Sequence, residues 1–105
     1  MPKTARPELP DELNDAVVAF GSHLKVATLR CLQTDGRATR SELSRRLGVS
    51  PSTLQAPLKA LVDVGAVTTF PPMTELTSVN RWFEINDERI RTLVEALGKA
   101  ISPAE

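Results

Sequence analysis

The chain has 105 residues, 41% of them hydrophobic and 25% charged, enough for one globular domain but little for an enzyme with a deeply buried site. Thirteen basic residues balance thirteen acidic ones, so net charge alone points to no polyanion. Aromatics, at 4%, are too few for a platform that stacks the bases of a single strand.

The lone Cys31 excludes an intrachain disulfide and a Cys-based metal cage within one chain. Between Leu29 and Leu32 in an apolar run, it reads as a small core residue. No apolar run is long enough for a signal peptide or a membrane span, so a cytoplasmic protein is expected. The even charge balance hides an asymmetry. Lys25, Arg30, Arg37, Arg40, Arg45, Arg46 and Lys59 share the stretch 25–59 with only Asp35 and Glu42. A basic middle between acidic ends suits a surface that faces phosphate, or simply a solvated charged face.

Residues 1–10 carry Pro2, Pro7 and Pro10 with little apolar content and read as a flexible N-terminal arm, in which Lys3 and Arg6 are the basic residues. The folded domain is expected over 11–102. A first helix starts near Asp11, with Leu13, Ala16, Val17 and Phe20 at helical spacing until Gly21-Ser22. A second, about 23–33, carries Leu24, Val26, Ala27, Leu29 and Leu32, and the turn Thr34-Asp35-Gly36 follows. His23, alone at a helix start, reads as a surface or capping residue.

The stretch 39–65 has the layout of two helices joined by a tight turn. Thr39 and Glu42 have capping-box spacing, Leu43 and Leu47 form one buried stripe, and Gly48 ends the first helix. Ser50 caps a second helix over 50–64, with Pro51 at its first position. Leu54, Leu58, Leu61 and Val62 make one face of it; Ser52, Gln55, Ala56, Lys59 and Asp63 make the other. Pro57 conflicts with a continuous helix, because residue 57 would have to donate to the Thr53 carbonyl. An interior proline costs about 3 kcal/mol, so the spacing predicts a kink over 53–57 or a restart at Pro57.

Val67-Thr68-Thr69-Phe70 reads as a short strand broken by Pro71-Pro72, and Arg81–Ile85 as its returning partner. The two describe a β-hairpin wing whose loop carries Glu75 and no basic residue before Arg81. Asn86 then caps a terminal helix, 87–101, with a stripe of Ile90, Leu93, Val94, Leu97 and Ile101. The fold class is mainly α with a small β-hairpin wing: four helices, the hairpin and a closing helix.

This order resembles the winged helix-turn-helix regulators of the ArsR type, with the MarR type more distant. The resemblance rests on Ala19-Phe20-Gly21, Leu29-Arg30-Cys31-Leu32, the run from Ser41 to Ser50, Ser52-Thr53-Leu54, Leu58-Lys59-Ala60-Leu61, Gly65-Ala66-Val67 and Arg81-Trp82-Phe83. It implies a homodimeric repressor of transcription on a palindromic operator in double-stranded DNA. Metal-sensing members carry paired cysteines where this chain has Thr39 and Ser41, and an alternative site uses a histidine on the terminal helix, where this chain has none. Metal sensing is therefore not carried over, and neither metal nor cofactor is expected.

The expected DNA-binding residues are Arg40, Arg45, Arg46, Ser50, Ser52, Thr53, Gln55, Ala56, Lys59 and Arg81. Gln55 can pair bidentately with adenine and Lys59 can reach guanine or phosphate, while Ser52 and Thr53 suit phosphate or a thymine methyl and Ala56 a methyl. Arg40, Arg45, Arg46 and Arg81 suit backbone phosphates. The expected dimer interface is Leu13, Val17, Ile90, Val94, Leu97 and Ile101. A winged-helix module for protein–protein assembly is the competing reading, since fold alone does not fix function. One His and one Cys compose no recognisable catalytic or metal arrangement.

Overall fold

The computed structural model describes residues 8–70 and 81–103. Residues 1–7 of the expected arm, with Lys3 and Arg6, and the wing loop 71–80 with Glu75 lie outside the described residues. Helices α1 (Asp11–Phe20) and α2 (His23–Asp35) lead through a two-residue strand β1 (Ala38–Thr39) into α3 (Arg40–Leu47). A 3-10 turn (Pro51–Leu54) precedes α4 (Gln55–Asp63), and strands β2 (Val67–Phe70) and β3 (Trp82–Ile85) precede α5 (Asp87–Ile101).

Local chemistry accounts for the boundaries. The Ser22 hydroxyl accepts from the Lys25 N–H at 3.1 Å, so the Gly21-Ser22 interruption is also the N-cap of α2. His23 is thereby the exposed first residue of α2, not its cap. That helix runs two residues beyond the expected Gln33, to Asp35, with Gly36 at φ 83° as its C-cap. At the far end, the Asn86 side chain accepts from the Arg89 N–H at 3.3 Å and opens α5.

The sheet is antiparallel in the order β1-β3-β2. Strand β1 has no signature in the sequence, because two residues are too few to display an alternation. It pairs Ala38 with Phe83 and Thr39 with Trp82, while β2 pairs Val67 with Ile85 and Phe70 with Trp82. Val67, Ala38 and Phe83 point inward and are buried, so this small sheet closes one end of the core.

The core gathers Leu29 and Leu32 from α2, Leu43 from α3, Leu54, Leu58 and Leu61 around α4, and Leu93 from α5. On α1 the buried residues are Ala16 and Ala19, whose short side chains suit the packing of α1 against α5; Val17, expected on the same apolar face, is exposed. Cys31 packs half-buried against the core, and its thiol donates to the Asp35 carboxylate at 3.7 Å.

Arg89 joins three elements. Its guanidinium donates to Asp15 of α1 at 2.8 Å and to the Val64 carbonyl at 2.9 Å, and stands 3.7 Å from Glu12. Among the described residues no helix is long and apolar enough to cross a membrane.

Candidate nucleic-acid interface

Helix α3 opens on a complete capping box. The Thr39 hydroxyl accepts from Glu42 N–H at 3.2 Å, and the Glu42 carboxylate accepts from Thr39 N–H at 3.0 Å. Gly48, at φ 70°, closes the helix by donating to the Ser44 carbonyl at 2.9 Å, and Val49 donates to that carbonyl at 3.2 Å. The Ser44 hydroxyl donates in turn to the Val49 carbonyl. These bonds set the turn between α3 and the segment after it.

That segment departs from the continuous helix expected over 50–64. Pro51–Leu54 is a 3-10 turn, and the α-helix begins at Gln55. Pro57 is then the third residue of α4, where a backbone N–H has no intrahelical acceptor. The proline removes no hydrogen bond there, so the helix restarts ahead of Pro57 and avoids the cost of an interior proline. The Ser50 side chain caps the turn by accepting from Thr53 N–H at 3.3 Å. Its hydroxyl also lies 2.7 Å from that of Thr53 and 3.3 Å from that of Ser52, giving an exposed cluster of three hydroxyls ahead of α4.

The polar face survives this change of helix type. Residues three apart eclipse in a 3-10 turn, so Ser52 stands in line with Gln55, and Gln55 and Lys59 are one α-turn apart. Ser50, Ser52, Thr53, Gln55, Ala56 and Lys59 are all exposed, opposite the buried Leu54, Leu58 and Leu61. Gly65, at φ 83°, ends the segment, with Gly65 N–H bonded to Val62 and Ala66 N–H to Leu61.

Electrostatics subdivide the basic middle. Lys59 lies 3.0 Å from Asp63 on its own helix, and Arg46 lies 3.9 Å from Asp35. Lys25 turns away to donate to the Val18 carbonyl at 2.9 Å, at the C-terminal end of α1. Arg40 and Arg45 are exposed on α3, and Arg81 is half-buried just ahead of β3. Thr39 uses its hydroxyl as a helix cap, and Ser41 is exposed. Among the described residues no group of three or more His, Cys, Asp or Glu could hold a metal ion.

The residues proposed for a dimer contact divide between two environments. Leu13, Ile90 and Leu97 are half-buried, whereas Val17, Val94 and Ile101 are exposed, at 45%, 54% and 71% of their surface. Two features were missed in the sequence. Arg89 had a visible signal only in the unneutralised carboxylates of Glu12 and Asp15 on α1. Arg37 stands with its guanidinium 5.2 Å from the Trp82 ring centre, a cation–π contact that depends on the unforeseen strand β1.

The capped α3, the tight turn, the amphipathic α4 and the three-stranded sheet define a winged helix-turn-helix, and residues 22–68 match the winged helix-turn-helix DNA-binding family. In fold the chain is similar to an ArsR-family transcriptional regulator, with a TM-score of 0.68 at 22% identity over 90% of this chain and 92% of the other. An uncharacterized HTH-type transcriptional regulator of Pyrococcus abyssi is 35% identical over 79 residues, or 70% of this chain and 50% of that protein. A second, from Pyrococcus horikoshii, is 48% identical over 44 residues, 42% of this chain and 28% of that protein. The chain thus spans half or less of the length of these two curated relatives.

Proposed function

We propose that the protein is a sequence-specific DNA-binding transcriptional regulator, a homodimeric repressor that reads a palindromic operator through residues 50–64. The observation that carries this reading is the exposed row of Ser52, Gln55, Ala56 and Lys59, backed by the buried leucines of the same segment. A major groove accepts one α-helix and displays base edges that such side chains distinguish. Gln55 supplies a bidentate partner for adenine, and Lys59 a cation for guanine or phosphate. Arg40, Arg45 and Arg46 of α3, with Arg81 beside the wing, position the domain on backbone phosphates.

A homodimer suits a palindrome, because two-fold symmetry in the protein matches two-fold symmetry in the site. The exposed Val17, Val94 and Ile101 on the packed helices α1 and α5 offer an apolar contact for a twin subunit. The pairing of Lys59 with Asp63 and of Arg46 with Asp35 favours a second reading, protein–protein assembly, because both ion pairs lower the charge offered to DNA.

Selection from random duplex DNA, followed by gel-shift titration at several salt concentrations, separates the two. A repressor enriches a palindrome and binds it with a steep salt dependence. Gln55→Ala then relaxes specificity at one base pair, by about 1–3 kcal/mol. Lys59→Ala weakens all sequences alike and flattens the salt slope if its contact is to phosphate. No enriched sequence and salt-insensitive binding would sink the DNA reading.

A further inference from the structure

Where α1 turns into α2, the surface opens into a cavity of about 570 Å³ whose lining includes Phe20, His23, Val26, Ala27 and Arg30. That volume falls within the range of small-molecule sites. None of the lining residues belongs to α3, to α4 or to the turn between them, so the cavity is no part of the proposed DNA-reading surface.

The floor of the cavity is apolar. Val26 is 45% exposed, and Phe20 and Ala27 beside it are half-buried. The lining contains no carboxylate. Ser22 and Lys25 are already committed, Ser22 as the cap of α2 and Lys25 as a donor to the Val18 carbonyl. Arg30 is exposed and, among the described residues, has neither a hydrogen bond nor an ion pair. Arg46 and Arg89, by contrast, are balanced by Asp35 and Asp15. A permanent cation without a counter-ion, set beside uncovered apolar surface, complements an anion with an apolar body.

The spacing defines the shape of that body. His23, Val26, Ala27 and Arg30 stand at i, i+3, i+4 and i+7, on one face of α2. Helical side chains lean towards the N-terminus, which aims the Arg30 stem along the apolar row. Phe20, the last residue of α1, closes the far end. Seven helical residues span about 10 Å, so the row takes a linear chain of roughly eight carbons.

We infer that this cavity binds a medium-chain aliphatic carboxylate. The Arg30 guanidinium holds the carboxylate through paired N–H donors, and the chain lies over Ala27 and Val26 and ends against Phe20. The site stands independently of the reading of α4.

Calorimetric titration of the full chain with sodium octanoate, kept below its micellar concentration, tests the assignment. Octanoate should bind once per chain, and octanol and octylammonium about tenfold more weakly or worse. From butanoate to decanoate, affinity should rise about two- to fourfold per methylene and level off beyond roughly eight carbons. Arg30→Gln changes an exposed side chain and should leave the fold intact. It should weaken octanoate about tenfold and leave octanol unaffected. NMR shifts on adding octanoate should centre on Phe20, Val26 and Ala27.

Absence of binding, or equal affinity for octanoate and octanol, would overturn the site. Shifts centred on Val17 and Val94 would give the acid to the face proposed for a twin subunit, and would overturn it too. Movement of the Val26 methyl signals with protein concentration alone would assign the cavity to a second copy instead. Each of these results reads the same whether or not the chain binds DNA.

Discussion

Arg89 donates from Nε to the carbonyl of Val64 at 2.9 Å, so α5 grips the chain at the point where α4 ends. The same guanidinium holds Asp15 of α1 at 2.8 Å, and its stem passes beside Gly65. A β-carbon at Gly65 would stand 3.4 Å from Arg89 Cγ, at a φ of 83° that disfavours any side chain. The helix that carries the candidate base contacts is therefore tied to the two helices proposed to form the dimer.

Arg89→Met should destabilise the fold by about 1.5–3 kcal/mol, because it leaves the Asp15 carboxylate and the Val64 carbonyl without this donor. Arg89→Lys should lose less, since an ammonium keeps the charge but cannot span both acceptors in the fork geometry of a guanidinium. Urea unfolding of the two variants beside the wild type gives the ranking. Equal stability for all three would mean that the clamp contributes nothing net.

Pro57 makes a sharper forecast, because its position in α4 decides its cost. In the first turn it sacrifices no hydrogen bond, and it restricts the unfolded chain. Pro57→Ala should leave the protein slightly less stable, by about 0.4–1 kcal/mol. Ala60→Pro, one turn on, should cost about 3 kcal/mol, since that N–H belongs to the helical ladder. Thermal melts distinguish these outcomes. A marked gain from Pro57→Ala would mean that the restart at Gln55 is wrong.

The contrast between Pro57 and Arg89 marks what was legible in the sequence. Caps, glycines and leucine spacing act within a few residues, so Thr39–Glu42, Ser50, Asn86 and the buried stripe of α4 were readable, as was the conflict at Pro57. Its resolution was less so, because a 3-10 turn and an α-helix share most of their capping signals. Contacts between residues far apart in sequence were not readable at all. Arg89 meets Asp15 across 74 positions, and Arg37 reaches Trp82 only because β1 joins the sheet. The candidate base-contacting face was visible, while the ion pairs that modulate its charge depend on rotamers and on packing between helices.

One of those ion pairs can be released. Asp63 lies 3.0 Å from Lys59 on the exposed face of α4, an i,i+4 pair contributing about 0.3–0.5 kcal/mol to the helix. Asp63→Asn should barely alter stability but should free the Lys59 ammonium and remove a negative charge from the proposed groove-facing row. Affinity for all duplex sequences should rise a fewfold, with a steeper salt dependence. Gel shifts over a salt series measure both. Unaltered affinity would place Lys59 away from the DNA.

The exposed residues of α1 and α5 can be tested apart from the core beneath them. Leu93 is fully buried, so Leu93→Ala should cost about 2–5 kcal/mol whether or not a partner subunit is present. Val94, one residue on, points outward and is 54% exposed. Val94→Asp should therefore leave a monomer's fold nearly intact, within about 0.5 kcal/mol for a surface change. In a dimer sealed by Val17, Val94 and Ile101, the same carboxylate would be buried without a partner, and association should fail. Sedimentation of wild type and Val94→Asp at matched concentration reads this directly: a dimer in the first and a folded monomer in the second. The monomer should then bind a half-site about as well as the wild-type subunit does while losing the tighter binding to the full palindrome, since only a linked pair engages both halves at once. A wild type that sediments as a monomer, or a Val94→Asp variant that remains dimeric, would move the subunit contact away from this face.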